Sequence, residues 1–272
     1  MNELEANTME SPEIAQESVD TSAGNACYTT GRVVCWFSCG ANSAIATKLA
    51  IKKYGLDRIQ IVYCDTGGEH PDNMRFLMDC QQWFGKEITV LQSEYEDHFD
   101  VWRKTGWIEG NGGARYTAEL KKKLRFQYQK PDDIQIMGYS VDEKHRAKRF
   151  GATFPEVTTD FILIDRQIQK SDCLGILSEI GIKLPAMYKL GFNNNNCIGC
   201  CKGGMGYWNH IRKHFPDHFD KAASIEREIG HSINKDDFGA VFLDELDPER
   251  GDFNEQVPSC DFLCQIKSKE VV

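Results

Sequence analysis

From Arg32 onward, short apolar runs alternate with segments whose apolar residues recur at helical spacing, and this alternation leaves the chain few folds to adopt. RVVCWF is the first run, and ANSAIATKLAIKKYG follows it with helical period. IQIVYC leads through DTGGEHPD into NMRFLMDCQQWFG, where a glycine marks a helix end. EITVLQ and DIQIMG give a third and a fourth strand, separated by helices expected over 95–104 and 116–129 and by the glycine-rich loop GNGGA. FILI reads as a fifth strand, and RQIQKSDCLGILSEIGI as a further helix. Apolar strands in such a series need helices on both faces. The expected fold class is therefore α/β: a doubly wound, mostly parallel five-stranded sheet with a cysteine-rich helical C-terminal subdomain.

Composition narrows the function classes. The 272 residues suffice for a sizeable core, and no apolar run approaches the length of a membrane span, so a cytoplasmic chain without a membrane partner is expected. The first 24 residues carry six acidic side chains and no basic one, and residues 1–30 read as a disordered acidic tail. Without those six charges the formal net charge of −9 falls to −3, which argues against indiscriminate binding of nucleic acid. Two local basic stretches stand out, KKKLRFQYQK from Lys121 and KHRAKR from Lys144; each reads equally as a solvated helix face or as a phosphate-attracting patch. The eleven cysteines read as reduced thiols or metal ligands rather than disulfides. Cys27, Cys35, Cys39, Cys64 and Cys80 lie in apolar or strand-like segments, as ordinary buried thiols do.

In a parallel sheet the chemistry gathers beyond the carboxyl ends of the strands. The first such loop, SCGANS, places small residues between a strand and a helix, where backbone N–H groups and the helix dipole favour an anion. It lacks a Walker lysine and the spacing of a dinucleotide fingerprint. VVCWFSCGANSAIATKLA resembles the pyrophosphate loop shared by phosphoadenosine phosphosulfate (PAPS) reductases and the adenine-nucleotide α-hydrolases, and DTGGEHPDNMRF resembles their second-strand loop. GGARYTAELKKKL resembles the helix start that binds the substrate's anionic end, GYSVDEKHR the loop after the fourth strand, and the stretch from FILIDRQ to NNNNCIGC the family's later half.

The resemblance implies an enzyme of the PAPS reductase family that binds an adenine nucleotide and reduces a sulfonucleotide or transfers sulfur. It implies a nucleotide-binding domain over 31–150 and, over 151–272, the remainder of that domain with the cysteine-rich subdomain. Ser38, Cys39, Gly40, Ala41, Asn42 and Ser43 would hold phosphate; Asp65, Thr66 and Gly67 would line the adenosine side, with Asp65 able to engage a hydroxyl or hydrated magnesium or, structurally, to cap a turn. Arg115, Lys121, Lys122, Arg146 and Arg149 would meet a phosphate or sulfate group. Three departures stand beside these matches. Asn42 takes the place of the aspartate usual in ATP-pyrophosphatase members, Ser140 that of the family's arginine, and SCDFLC lacks the Glu-Cys-Gly context of the reductase cysteine.

Cys197 and Cys200 have the spacing with which two thiolates share one metal, and Cys260 with Cys264 offers a second pair. Four thiolates suit an iron–sulfur cluster or zinc. A competing set joins the first pair to His210 and His214, which together with His218 read equally as a solvated helix face. Cys201 is a candidate catalytic thiol beside the pair, alongside Asp65, with a thiol or redoxin as electron donor. Two other readings stay open at this level: an ATP-dependent adenylating sulfurtransferase acting on nucleic acid, and a non-catalytic nucleotide-binding metal module.

Overall fold

A computed structural model of the chain describes residues 31–110 and 113–254. The stretch read as an acidic tail, Cys27, and the pair Cys260 and Cys264 lie outside the described residues. In chain order the elements are β1 (Val33–Trp36), α1 (Ala41–Tyr54), β2 (Ile59–Asp65), α2 (Asp72–Phe84), β3 (Ile88–Gln92) and α3 (His98–Thr105). A small antiparallel ladder of β4 (Glu109–Gly110) and β5 (Gly113–Ala114) comes next, then α4 (Arg115–Thr117), a wider π turn over Ala118–Lys122, and α5 (Lys123–Tyr128). β6 (Ile134–Ile136), α6 (Lys144–Thr153), β7 (Thr159–Asp160), α7 (Ile162–Asp165) and α8 (Lys170–Glu179) complete the sheet layer. The remainder holds α9 (Ala186–Lys189), α10 (Met205–His214), α11 (Pro216–Ile229) and a hairpin of β8 (Asn234–Asp236) and β9 (Gly239–Val241).

The five-stranded sheet has the order β3-β2-β1-β6-β7, and every pairing in it is parallel. Alternation along β1 explains why the sheet is covered twice. Val33 and Cys35 pack with Ile59, Ile61, Ile134 and Ile136 toward α1, while Val34 and Trp36 pack with Val62, Cys64 and Met137 on the opposite side. Each valine or isoleucine so buried contributes about 1.5–3 kcal/mol. A separate cluster around Trp102, Tyr116, Trp208 and Phe219 joins α3 to α10 and α11 and contains Cys197, Cys200 and Cys201.

The fifth strand lies one step earlier than FILI. β7 pairs with β6 through Gln135↔Thr159 and Ile136↔Asp160, and it stops where Lys53 and Tyr54 grip the Asp160 carboxylate at 2.7 and 2.6 Å. Most of FILI lies in the short helix α7, with Ile162 and Leu163 sunk into the core on the α1 side. A four-residue apolar run carries no period by which strand and helix can be told apart.

Candidate functional site at the open end of β1

The turn between β1 and α1 is braced by its own serines. Ser43 Oγ donates to the Gly40 carbonyl at 2.9 Å and accepts from the Ser38 backbone N–H at 3.0 Å and the Ser38 hydroxyl at 3.2 Å. The chain passes through Cys39 with φ 53°, a left-handed conformation costing an L-residue about 1–2 kcal/mol. Asn195 holds it there by donating from Nδ2 to the Cys39 carbonyl at 2.8 Å. Burial pushes the Cys39 thiol well above its ordinary pKa, so this cysteine packs rather than attacks. α1 then starts without a side-chain cap and without an acidic residue in its first turn, so nothing within the helix neutralises its positive end.

Sheet order puts this turn at a topological switch. From β1 the chain moves outward to β2 and β3, then returns to the other flank of β1 as β6. The crevice between β1 and β6 is where an open α/β sheet binds ligand. A cleft of about 850 Å³, counting the space at its mouth, occupies that position. Ser38, Gly40, Ala41, Asn42 and Ser43 form one wall, and Met137, Gly138 and Tyr139 face them from the segment following β6. Gly138 is required by this approach, since a Cβ there would stand 2.8 Å from both N and Cα of Ser43.

Two ammonium groups enter the cleft, Lys121 from the π turn and Lys170 from the start of α8. Lys170 Nζ donates to the Asn193 carbonyl and to Asn194 Oδ1, the latter at 2.7 Å, and burial lowers its pKa. Tyr188 hangs over the α1 start, its hydroxyl accepting from the Ala41 N–H at 3.5 Å, and burial pushes its pKa up to about 12. The other polar groups of the described walls are neutral hydroxyls and amides, including Asn194, Asn195 and Asn196. Of the five basic residues expected to meet an anion, Lys121 lines the cleft. Arg115 is exposed and pairs with Glu119 at 2.7 Å, Lys122 is half-buried and Arg149 is exposed. Arg146 pairs with Glu143 and lies over the ring of the cleft residue Tyr139, its guanidinium carbon 5.2 Å from the ring centre.

Asp65, Thr66 and Gly67 stand at the end of β2 outside the cleft lining. Asp65 Oδ1 accepts from the Gly67 N–H at 2.9 Å, a turn-capping bond, and Gly67 at φ 62° passes so close to the Glu96 carbonyl that a Cβ would meet it at 1.7 Å. Thr66 is buried, with its hydroxyl 3.1 Å from Cys197 Sγ and 3.4 Å from Glu69. Glu69, which sequence reasoning passed over, accepts from Tyr63 at 2.8 Å and Asn73 at 2.6 Å and lies 3.9 Å from Lys121 Nζ. Its carboxyl is raised above the ordinary range by burial, with Lys121 opposing. Lys170, Tyr188 and the asparagine run were also missed. The one available signal was a stretch of four amides directly before Cys197.

The cysteine loop begins one residue beyond that wall. Cys197, Cys200 and Cys201 are buried, and the loop turns at Gly199 with φ 82°. Cys200 Sγ lies 3.3 Å from the Tyr116 hydroxyl, and the Tyr207 hydroxyl ties the turn by accepting from the Cys200 N–H at 3.1 Å and donating to the Cys197 carbonyl at 3.2 Å. His98 is completely buried in the same cluster, and burial drives its pKa to about 4. His210 and His214 meet edge-on with ring centres 4.5 Å apart, and His210 Nε2 lies 2.7 Å from the Leu190 carbonyl. Among the described residues no group of three or more histidines, cysteines or acids is arranged to hold an ion, so a four-ligand centre does not fit them by themselves.

No family model matches the chain. It is similar to an uncharacterized protein of Methanocaldococcus jannaschii, with 26% identity over 215 residues that make up 73% of this chain and 42% of that protein. The chain therefore spans less than half the length of that relative.

Proposed function

We propose that the chain is an enzyme of the PAPS reductase type that binds an adenosine phosphosulfate in the cleft between β1 and β6. The carrying observation is the charge of the described walls: two ammonium groups, Lys121 and Lys170, converge on an uncapped helix start, and the remaining polar groups are neutral. Such a lining neutralises an anion directly, whereas magnesium–ATP asks for a carboxylate at the metal, and the first loop offers Asn42 in that place. Trp36, Val62 and Met137 give the cleft an apolar side suited to adenine. The chemistry of sulfur falls to the cysteine loop beside the asparagine wall, with Cys201 as the reacting thiol.

The test is calorimetric titration of PAPS and of ATP, each with and without magnesium. PAPS is expected to bind tighter, and without need of the metal. Binding of ATP alone, and solely with magnesium present, would replace this reading with the adenylating one. Iron, sulfide and zinc analysis of anaerobically purified full-length chain measures whether the cysteines hold a centre.

A further inference from the structure

A second cavity, of about 430 Å³, lies across the asparagine wall from the first. Asn194 and Asn196 line both cavities, so one loop divides them. The character of the second is different. Phe192, Tyr207 and Phe253 supply aromatic surface, His210 and the asparagines supply hydrogen-bonding edges, and among the described residues lining it there is no lysine or arginine.

The cavity is held in shape from several directions. Tyr207 is fixed by its two bonds to the cysteine turn and meets Phe192 edge-on at 5.6 Å. The rim segment carrying Asp252 and Phe253 is drawn against α10 by Asn209, whose Nδ2 donates to the Asp247 and Arg250 carbonyls at 2.8 Å each. Gly206 permits the contact, since a Cβ there would stand 2.1 Å from the Asp252 carbonyl. Phe253 nonetheless leaves 57% of its surface exposed at the rim. The His210 ring is anchored by Nε2, which lies 2.7 Å from the Leu190 carbonyl.

We infer that this cavity binds a planar nitrogen heterocycle of the nucleobase class, stacked on Phe253 and read at its edge by His210, Asp252 and the asparagine amides. Aromatic faces with amide edges and the Asp252 carboxylate suit a base, and among the described lining residues no lysine or arginine is present, unlike the phosphate-type cleft beside it. The inference goes beyond the proposed function and does not depend on which nucleotide fills the first cleft. A ring held here lies across one loop from that nucleotide and beside the residue that braces the cysteine turn.

Cytidine and guanosine are titrated calorimetrically into the full chain, once alone and once with PAPS at saturation. At least one nucleoside is expected to bind in both conditions, and Phe253→Ala and His210→Leu are each expected to weaken it at least about tenfold while leaving PAPS affinity unchanged. Failure of both nucleosides to bind, displacement of the nucleoside by PAPS, or wild-type affinity in both variants would overturn the inference. Loss of PAPS binding with variant-sensitive nucleoside binding intact would sink only the proposed function.

Discussion

Ser43 is where the candidate site is most exposed to a single atom. Its hydroxyl closes the turn onto Gly40 and Ser38, so Ser43→Ala leaves two donors of the Ser38 end without that acceptor. The expected result is nucleotide affinity lowered about tenfold by calorimetry, with a stability cost near 1 kcal/mol by denaturant unfolding. Gly138→Ala should behave differently, because its Cβ would press on backbone rather than on a mobile side chain. It is expected to lose about 1–3 kcal/mol of stability and to abolish binding together. Lys121→Met removes a charge from the cleft and leaves Glu69 buried beside hydroxyls and an amide. A loss of about 3–5 kcal/mol at neutral pH is expected. Because burial already holds the folded Glu69 pKa above its ordinary value, the folded state binds the extra proton, and that loss should shrink as pH falls.

At the scale of elements, the sequence disclosed what periodicity and apolar runs encode. β1, β2, β3 and β6 lie where RVVCWF, IQIVYC, EITVLQ and DIQIMG place them, because short runs rich in valine and isoleucine stand out from the helical segments between them, even in the largely exposed edge strand β3. β7 was not legible, since two paired residues are too few to carry a pattern. The π turn over Ala118–Lys122 was not legible either; the sequence reads as continuous helix, and within the wider turn Leu120 packs into the cluster with Tyr116 while Lys121 lines the cleft. The turn between β1 and α1 was visible through its small residues. Lys170, Tyr188 and the asparagine wall were not, because each lies more than 120 residues from the first loop in sequence and nothing local announces it.

At the scale of the whole molecule, two buried groups set opposing responses to acid. His98, whose pKa falls from 6.5 to about 4, is held neutral, so the unfolded chain binds more protons in that window and stability declines as pH drops through it. Glu226 accepts from the Ile233 and Leu243 N–H groups, yet burial raises its pKa from 4.5 to about 7, so stability declines as pH rises through that range. Each amounts to about 3 kcal/mol, and they oppose one another where the windows overlap. His98→Leu is expected to leave a profile that falls with rising pH relative to wild type, and Glu226→Gln one that rises; urea midpoints measured from pH 4 to 7.5 distinguish them. Parallel shifts without a change of slope would refute the assignment.

β1 pairs on one flank with β2, some twenty-six positions later, and on the other with β6, a hundred positions later, through Val33↔Ile59 and Val33↔Ile134. A chain emerging from synthesis thus displays its turn of serines early but cannot enclose it until the later strand has arrived and docked. Under the proposed function, nucleotide capture reports the completion of folding, and in a refolding experiment nucleotide uptake is expected to lag behind the recovery of helical signal.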